Sequence, residues 1–171
     1  MRVPPASPRF GRRLRMTEGM ACVFCEIVAG AVPAHVVAET TETVSFMDTS
    51  PVNPGHVLTV PRRHAADIWQ LDAAEFGALG SAAHGVARRV RLALDPPGLD
   101  LFMANGAAGG QTVFHAHVHI IPRWPGDGWT DPWAPTPGKP EELAAVAERI
   151  RAAESLDARA VASRSSTRAN R

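Results

Sequence analysis

Three histidines alternate with apolar residues in His115-Ala116-His117-Val118-His119-Ile120-Ile121. Imidazole is the side chain that moves a proton, attacks an electrophile or binds a metal near neutral pH. Alternation with a period of two is the pattern of a half-buried strand, and it sends all three imidazoles to one face with Ala116, Val118 and Ile120 behind them. The chain has seven histidines in 171 residues, so three on one strand face is a concentration of chemistry. A strand that was merely solvated would carry Ser, Thr or Lys there. A single tetrahedral metal is the sharper rival. Histidines at i and i+2 can share a zinc, but the first and third start about 13 Å apart at ~3.3 Å per residue. A row of imidazoles suits an extended substrate with several oxygens, such as a phosphate chain.

The residues before the row also fit an anion. Asn105-Gly106-Ala107-Ala108-Gly109-Gly110 holds three glycines and two alanines, which remove side-chain bulk and let backbone N–H groups come close. Gln111 and Thr112 follow, with polar side chains suited to phosphate oxygens. Phe46 and Asp48 share a strand face at i and i+2. An aromatic beside a carboxylate suits a nucleoside, the ring on the base and the carboxylate on both ribose hydroxyls. A core Phe followed by a turn-starting Asp gives the same string. Cys22-Val23-Phe24-Cys25 reads equally as a redox pair or as two core cysteines.

All seven positions of the histidine row match His-φ-His-φ-His-φ-φ, with φ apolar, and so the stretch resembles the motif of the histidine-triad (HIT) family. The lead-in from Asn105 to Phe114 is similar to that family's, and the resemblance extends over residues 22 to 124. It implies the nucleotide hydrolase and transferase branch of Hint-like and Fhit-like proteins, and a homodimer with a shared sheet. The reaction implied is at the α-phosphorus of a purine nucleotide conjugate, through a covalent nucleotidyl-histidine. His117 would be the nucleophile, its other ring nitrogen on the backbone carbonyl of His115. His119 would meet the phosphate and the departing group, with His56, the match to the family's fourth histidine, beside the row. Phe46 would contact the base, Asp48 the ribose, and Gln111, Thr112 and the Val113 amide the phosphates, with Asn105 a further substrate-binding residue.

That chemistry needs no cofactor. Some family members bind zinc through an equivalent cysteine pair and two histidines. The matching residues here are Cys22, Cys25, His64 and His115, a closed, structural set of donors. An AMP-amine phosphoramidate is the implied substrate. A dinucleoside polyphosphate hydrolase, a nucleotidyltransferase or phosphorylase, and a non-catalytic nucleotide-binding scaffold are the alternatives.

The elements that position these residues follow from pattern. Val36–Glu39 and Thr43–Asp48 read as two strands joined by a polar turn, and residues 54–61 as a third strand entered through Pro54-Gly55. Asp72-Ala73-Ala74-Glu75 is a capping-box start, with Asp in place of Ser or Thr. The helix it opens carries Phe76, Leu79, Ala83, Val86, Val90 and Leu94 at helical spacing, and Asp95-Pro96-Pro97-Gly98 stops it. A fourth strand, Leu99–Ala104, then feeds the glycine loop and the histidine strand. The order β-β-β-α-β-β, with no βαβ repeat, predicts an α+β fold: an antiparallel sheet of about five strands with helices packed on one side. Trp124, Trp129 and Trp133 lie in a Pro- and Gly-rich stretch just after that strand. They read either as cover for an apolar edge or as a wall of the pocket. Pro140-Glu141-Glu142-Leu143 begins a last helix.

Composition bounds the rest. An apolar content of 45% is ample for one core, and no apolar run reaches the length of a membrane span. Residues 1–19 carry five Arg against one Glu, and residues 157–171 four Arg against one Asp, so a net charge of +1 hides an acidic body. A basic nucleic-acid face is therefore not expected on the folded part. The domain plan is a disordered basic leader (1–19), the HIT-like domain (20–124), an extension with the Trp-rich loop and a helix (125–156) and a disordered tail (157–171). Met16 and Met20 read as alternative starts. Two cysteines and no apolar signal segment point to the cytoplasm.

Overall fold

The computed structural model describes residues 22–129, 139–147 and 149–150. The expected leader and tail, Met20 and Trp133 lie outside these residues. Two compact units divide between Trp129 and Thr130. The start of the tryptophan loop thus belongs with the first unit, five residues beyond the expected boundary.

The first unit is built on five antiparallel strands: β1 (Val36–Glu39), β2 (Thr43–Met47), β3 (Val57–Pro61), β4 (Gly98–Phe102) and β5 (Val118–Arg123). Their spatial order is β1-β2-β3-β5-β4, so β1 and β4 are the edges. Between β1 and β2 the Thr40 hydroxyl accepts from the N–H groups of Glu42 and Thr43 at 3.1 and 2.9 Å, closing the turn. Between β3 and β4 runs a long helix, α2 (Ala73–Leu94). Asp72 accepts from the Glu75 amide, and the Glu75 carboxylate accepts from the Asp72 amide, the reciprocal cap expected from the sequence. The helix ends at Asp95 in the left-handed region, φ 45°.

Strand alternation divides the core. Val57, Val118 and Ile120 turn to α2, where Leu79, Ala83, Val86 and Val90 meet them. The alternate positions Val44, Phe46, Leu58 and Val60 turn the other way and pack with Phe24 of the six-residue helix α1 (Val23–Val28). The expectation of helices on one side therefore holds for α2, while α1 covers the opposite face. Phe24 is the reason: its ring needs a partner, and the second sheet face supplies Phe46 at 5.4 Å. This α1 face is where the imidazoles gather.

The histidine strand is shorter than the motif. Its ladder begins at Val118, paired with Thr59 of β3, and β4 ends at Phe102 opposite His119. Ahead of it, the Ala116 N–H donates at 2.6 Å to the carbonyl of Ala65, in the loop after β3. His115, Ala116 and His117 thus lead into the strand and are not rungs of it.

In the second unit, residues 140–147 are helical, with the Leu143 N–H bonded to the Lys139 carbonyl at 3.0 Å. Lys139 pairs with Glu142 at 2.8 Å.

Candidate active site

Each triad imidazole has one ring nitrogen facing a backbone group or a neighbouring ring, and these contacts assign the protons. A carbonyl oxygen only accepts and a backbone N–H only donates. His117 Nδ1 lies 2.6 Å from the His115 carbonyl oxygen, so Nδ1 carries the proton and Nε2 keeps a bare lone pair. His115 Nε2 donates to the Pro61 carbonyl at 2.9 Å, so its Nδ1 is the bare atom. In His56, Nδ1 accepts from the Val52 N–H at 3.2 Å, which leaves the proton on Nε2. That Nε2 stands 2.9 Å from His119 Nδ1 and donates to it. His119 therefore holds its own proton on Nε2.

The three triad rings do not form a single row. His117 and His119 are neighbours, with centroids 4.8 Å apart, and His56 packs on His119 at 5.1 Å. His115 is fully buried and turned away, its Nδ1 3.4 Å from Cys22 Sγ and 3.5 Å from Cys25 Sγ. The alternation argument fails for this residue because it precedes the regular ladder, where strand geometry no longer dictates its direction.

Burial sets the charge state. Desolvation disfavours the imidazolium and lowers the proton affinity of His117, although its bond to the His115 carbonyl and the nearby Asp48 oppose that. His56 and His115 are lowered for the same first reason. His119 is lowered to about 4, by desolvation and then by His117 and His56 beside it. All four imidazoles are neutral at pH 7.

Asp48 stands at the end of β2 with Oδ2 3.6 Å from His56 Nε2, while Oδ1 accepts from the Ser50 N–H at 2.8 Å. The ligand atoms of Asp48, His56 and His119 lie within 4.8 Å of one another. A metal there would need a bare His56 Nε2, but the Val52 N–H already occupies Nδ1. The trio is built to hold protons.

Phe46 is 2% exposed beneath Phe24. Of these two rings, Phe24 makes the edge-on contacts to His115 and His117, with centroids 5.9 and 5.2 Å away. Asn105 Oδ1 accepts from the Ile68 N–H at 2.8 Å. Gln111 Oε1 accepts from the Gly106 N–H, while its Nε2 donates to the Ala66 and Val113 carbonyls. Both amides are thus engaged in shaping the loop, whereas Thr112 is exposed. Gly106 and Gly110 sit at φ 74° and 84°, backbone that side chains other than glycine rarely adopt. Sequence reasoning missed Phe24, Val52 and Phe102. Phe102 is an exposed ring on edge strand β4, 5.6 Å from His119. The signal for Phe24 was present, since it sits between the two cysteines.

Cys25 Sγ is 3.3 Å from His64 Nδ1, and the four donor atoms of Cys22, Cys25, His64 and His115 lie within 4.8 Å of one another. Tetrahedral zinc with Zn–S of ~2.3 Å and Zn–N of ~2.05 Å places S and N about 3.6 Å apart. The observed spacings fit that set. Pro61 supplies the outer hydrogen bond that leaves His115 Nδ1 bare. Burial, followed by the neighbouring Cys22, pushes the Cys25 thiol up to about 11, so a thiolate pair needs a cation to form.

An antiparallel α+β sheet carrying a histidine cluster on the face opposite its long helix defines the class. The HIT domain model matches residues 29–126, and the chain belongs to the HIT-domain family. It is 34% identical over 133 residues to an adenosine 5'-monophosphoramidase of Schizosaccharomyces pombe, covering 77% of this chain and 96% of the relative. A crystal structure of a HIT-family protein from Bacillus subtilis matches with a TM-score of 0.73 at 34% identity, over 77% of this chain and 95% of that one. A zinc-bound histidine-triad protein from Mycobacterium smegmatis matches with a TM-score of 0.62 at 31% identity, over 78% of this chain and 98% of that one. No helix among the described residues is long and apolar enough to cross a membrane.

Proposed function

We propose that the protein hydrolyses a purine nucleotide conjugate at its α-phosphorus, an AMP-amine phosphoramidate first of all, through a covalent intermediate on His117. One observation carries this reading: the buried, neutral His117 has its Nδ1 proton tied to the His115 carbonyl, which aims a bare Nε2 at the substrate. Nε2 attacks phosphorus, and the bond to the leaving nitrogen breaks as that nitrogen takes up a proton from solvent. Water then attacks the nucleotidyl-histidine and gives up a proton to solvent, and AMP leaves with the His117 lone pair restored. The His119 Nε2–H donates to a phosphate oxygen or the departing atom, and the free lone pairs of Asp48 accept from the ribose hydroxyls. Thr112 and the Val113 amide serve the phosphates. Asn105 and Gln111 act by holding the loop that carries them.

The activity of the similar fission-yeast monophosphoramidase supports this choice over a dinucleoside polyphosphate. Cys22, Cys25, His64 and His115 hold a structural zinc, which cross-links α1 to the loop after β3 and to the triad and takes no part in the reaction. Reduced thiols in that set suit the cytoplasm. Strand β4 is a sheet edge with Leu101 and Phe102 exposed, an edge that a second copy would cover in a homodimer. The test is to mix the protein with an AMP-amine phosphoramidate or diadenosine polyphosphate, quench in alkaline denaturant, which spares the acid-labile P–N bond, and map the modified residue. Adenylylation of His117 and faster turnover of the phosphoramidate are expected. Turnover with no labelled histidine would rule out the covalent route.

A further inference from the structure

The hydrogen bond from the Val52 N–H decides which nitrogen of His56 is protonated, and through His56 it decides the tautomer of His119. Val52 lies in a turn, so something must keep that turn in place. Asn53 does so from inside the protein. It is 8% exposed, its carbonyl accepts the His56 N–H at 3.1 Å, and its amide Nδ2 donates to two groups at 2.8 Å each. One is the carbonyl of Pro122, in strand β5. The other is Oδ2 of Asp127, in the turn where the tryptophan stretch begins.

Asp127 is itself held from several sides. Its side chain is 7% exposed. It accepts from Arg123 at 2.7 Å, from the Trp124 N–H at 3.2 Å and from the Trp129 N–H at 3.0 Å. The Arg123 guanidinium beside it holds its carboxyl well below the usual carboxylate range. The first part of the tryptophan stretch is therefore a knot around one carboxylate, and that carboxylate reaches back to the turn next to His56.

We propose that Asn53 and Asp127 are positioning residues for the reaction: a buried strut from the turn after β5 aims the Val52 N–H at His56 Nδ1 and so locks His119 with its Nε2–H toward the substrate. This rests on the reaction proposed above. Without the strut, the Val52 N–H drifts from His56, and His56 can carry its proton on either nitrogen. Half of those states present a bare His56 Nε2 to His119 Nδ1 and turn the His119 proton inward. The donor facing the phosphate then becomes an acceptor, which repels the charge it should stabilise.

Nitrogen-15 NMR of the full-length chain reads the tautomers directly, because protonated and bare ring nitrogens have separate shifts. At pH 7 the wild type should show the proton on Nε2 of both His56 and His119. Asn53→Ala, and independently Asp127→Ala, should move the His56 signals toward averaged positions. Both should also lower kcat for the phosphoramidate by about ten-fold or more while AMP affinity stays within about three-fold, as expected when geometry rather than binding is lost. A His56 proton on Nδ1 in the wild type overturns the proposal. So do variants with lower melting temperature but unchanged His56 signals and kcat. If both alanine variants fail to fold, Asp127→Asn, which keeps the shape but weakens the acceptor of the Asn53 amide, is read by the same His56 signals and kcat, and unchanged values of both overturn the proposal. The NMR readout needs no substrate: a chain with the expected tautomer response that turns over no nucleotide conjugate would refute the reaction and leave the strut standing.

Discussion

His115 presents its carbonyl oxygen to His117 Nδ1 at 2.6 Å while its own ring lies against Cys22 and Cys25. One residue thus joins His117, the nucleophile proposed above, to the cysteine cluster. Its backbone fixes the tautomer of the His117 imidazole, and its side chain is anchored among donors that fit zinc. The position of His117 is therefore coupled to the state of the cluster.

His117→Ala should lower kcat for the nucleotide conjugate by something on the order of 10⁴ or more, the scale on which a nucleophile is missed. AMP affinity should change far less, because Asp48 and the loop are untouched. Steady-state kinetics beside calorimetric AMP binding checks both. A variant keeping a tenth of the wild-type rate would end the role assigned to His117.

The purified protein should carry about one zinc per chain, and chelation should lower its melting temperature, since the binding energy of a closed site is folding energy. Through His115 it should also lower kcat before the protein unfolds. Elemental analysis and calorimetry are the measurements. Protein without zinc, whose two thiols both react freely in the native state, would contradict the site.

Stability should depend on pH through the buried imidazoles. His119 is held at about 4 against an ordinary 6.5, so between those values the unfolded chain binds the proton that the folded chain refuses. The fold is then most stable above pH 6.5 and weakens as pH falls from about 6.5 toward 4. His56, His115 and His117 add to the loss in the same direction. Urea unfolding across this range, repeated with His119→Asn, should show a shallower pH slope in the variant. Equal slopes would show that His119 is not the buried neutral group described.

How much of this is legible in the sequence depends on how local each cause is. Strands β1 to β3 and helix α2 can be read from their periods and caps, because alternation and the Asp72–Glu75 box act over a few residues. The turning of His115 cannot, since it is caused by cysteines 90 and 93 residues earlier in the chain. Nor can the side of the sheet that α1 covers, which follows from Phe24 meeting Phe46. Asn105 and Gln111 show a further gap: an amide in a glycine loop has the same identity whether it faces a ligand or staples the backbone. Asn53 and Asp127 gave no signal, being a turn-former and a loop acid until folding joins them.

Gly55 gives the last prediction, because it precedes His56 and two restrictions coincide there. Its φ is +90°, where a side chain is strained whatever space it has. A Cβ would also stand 2.3 Å from Leu94 Cδ1 and 3.1 Å from Pro122 Cγ. Leu94 closes α2 and can swing aside, but Pro122 is fixed in β5 and its carbonyl receives the Asn53 amide. Gly55→Ala should therefore cost about 2 kcal/mol or more, from backbone strain and overpacking together. It should also displace His56 and reduce kcat in the molecules that remain folded. Gly55→Ala with Leu94→Ala separates the two causes. Compared with Leu94→Ala alone, the double variant lacks the closer clash, so a smaller effect of Gly55→Ala there measures overpacking against Leu94. The remaining deficit measures the backbone together with the Pro122 contact. Full recovery of stability and kcat would show that the positive φ at Gly55 matters little to the placement of His56.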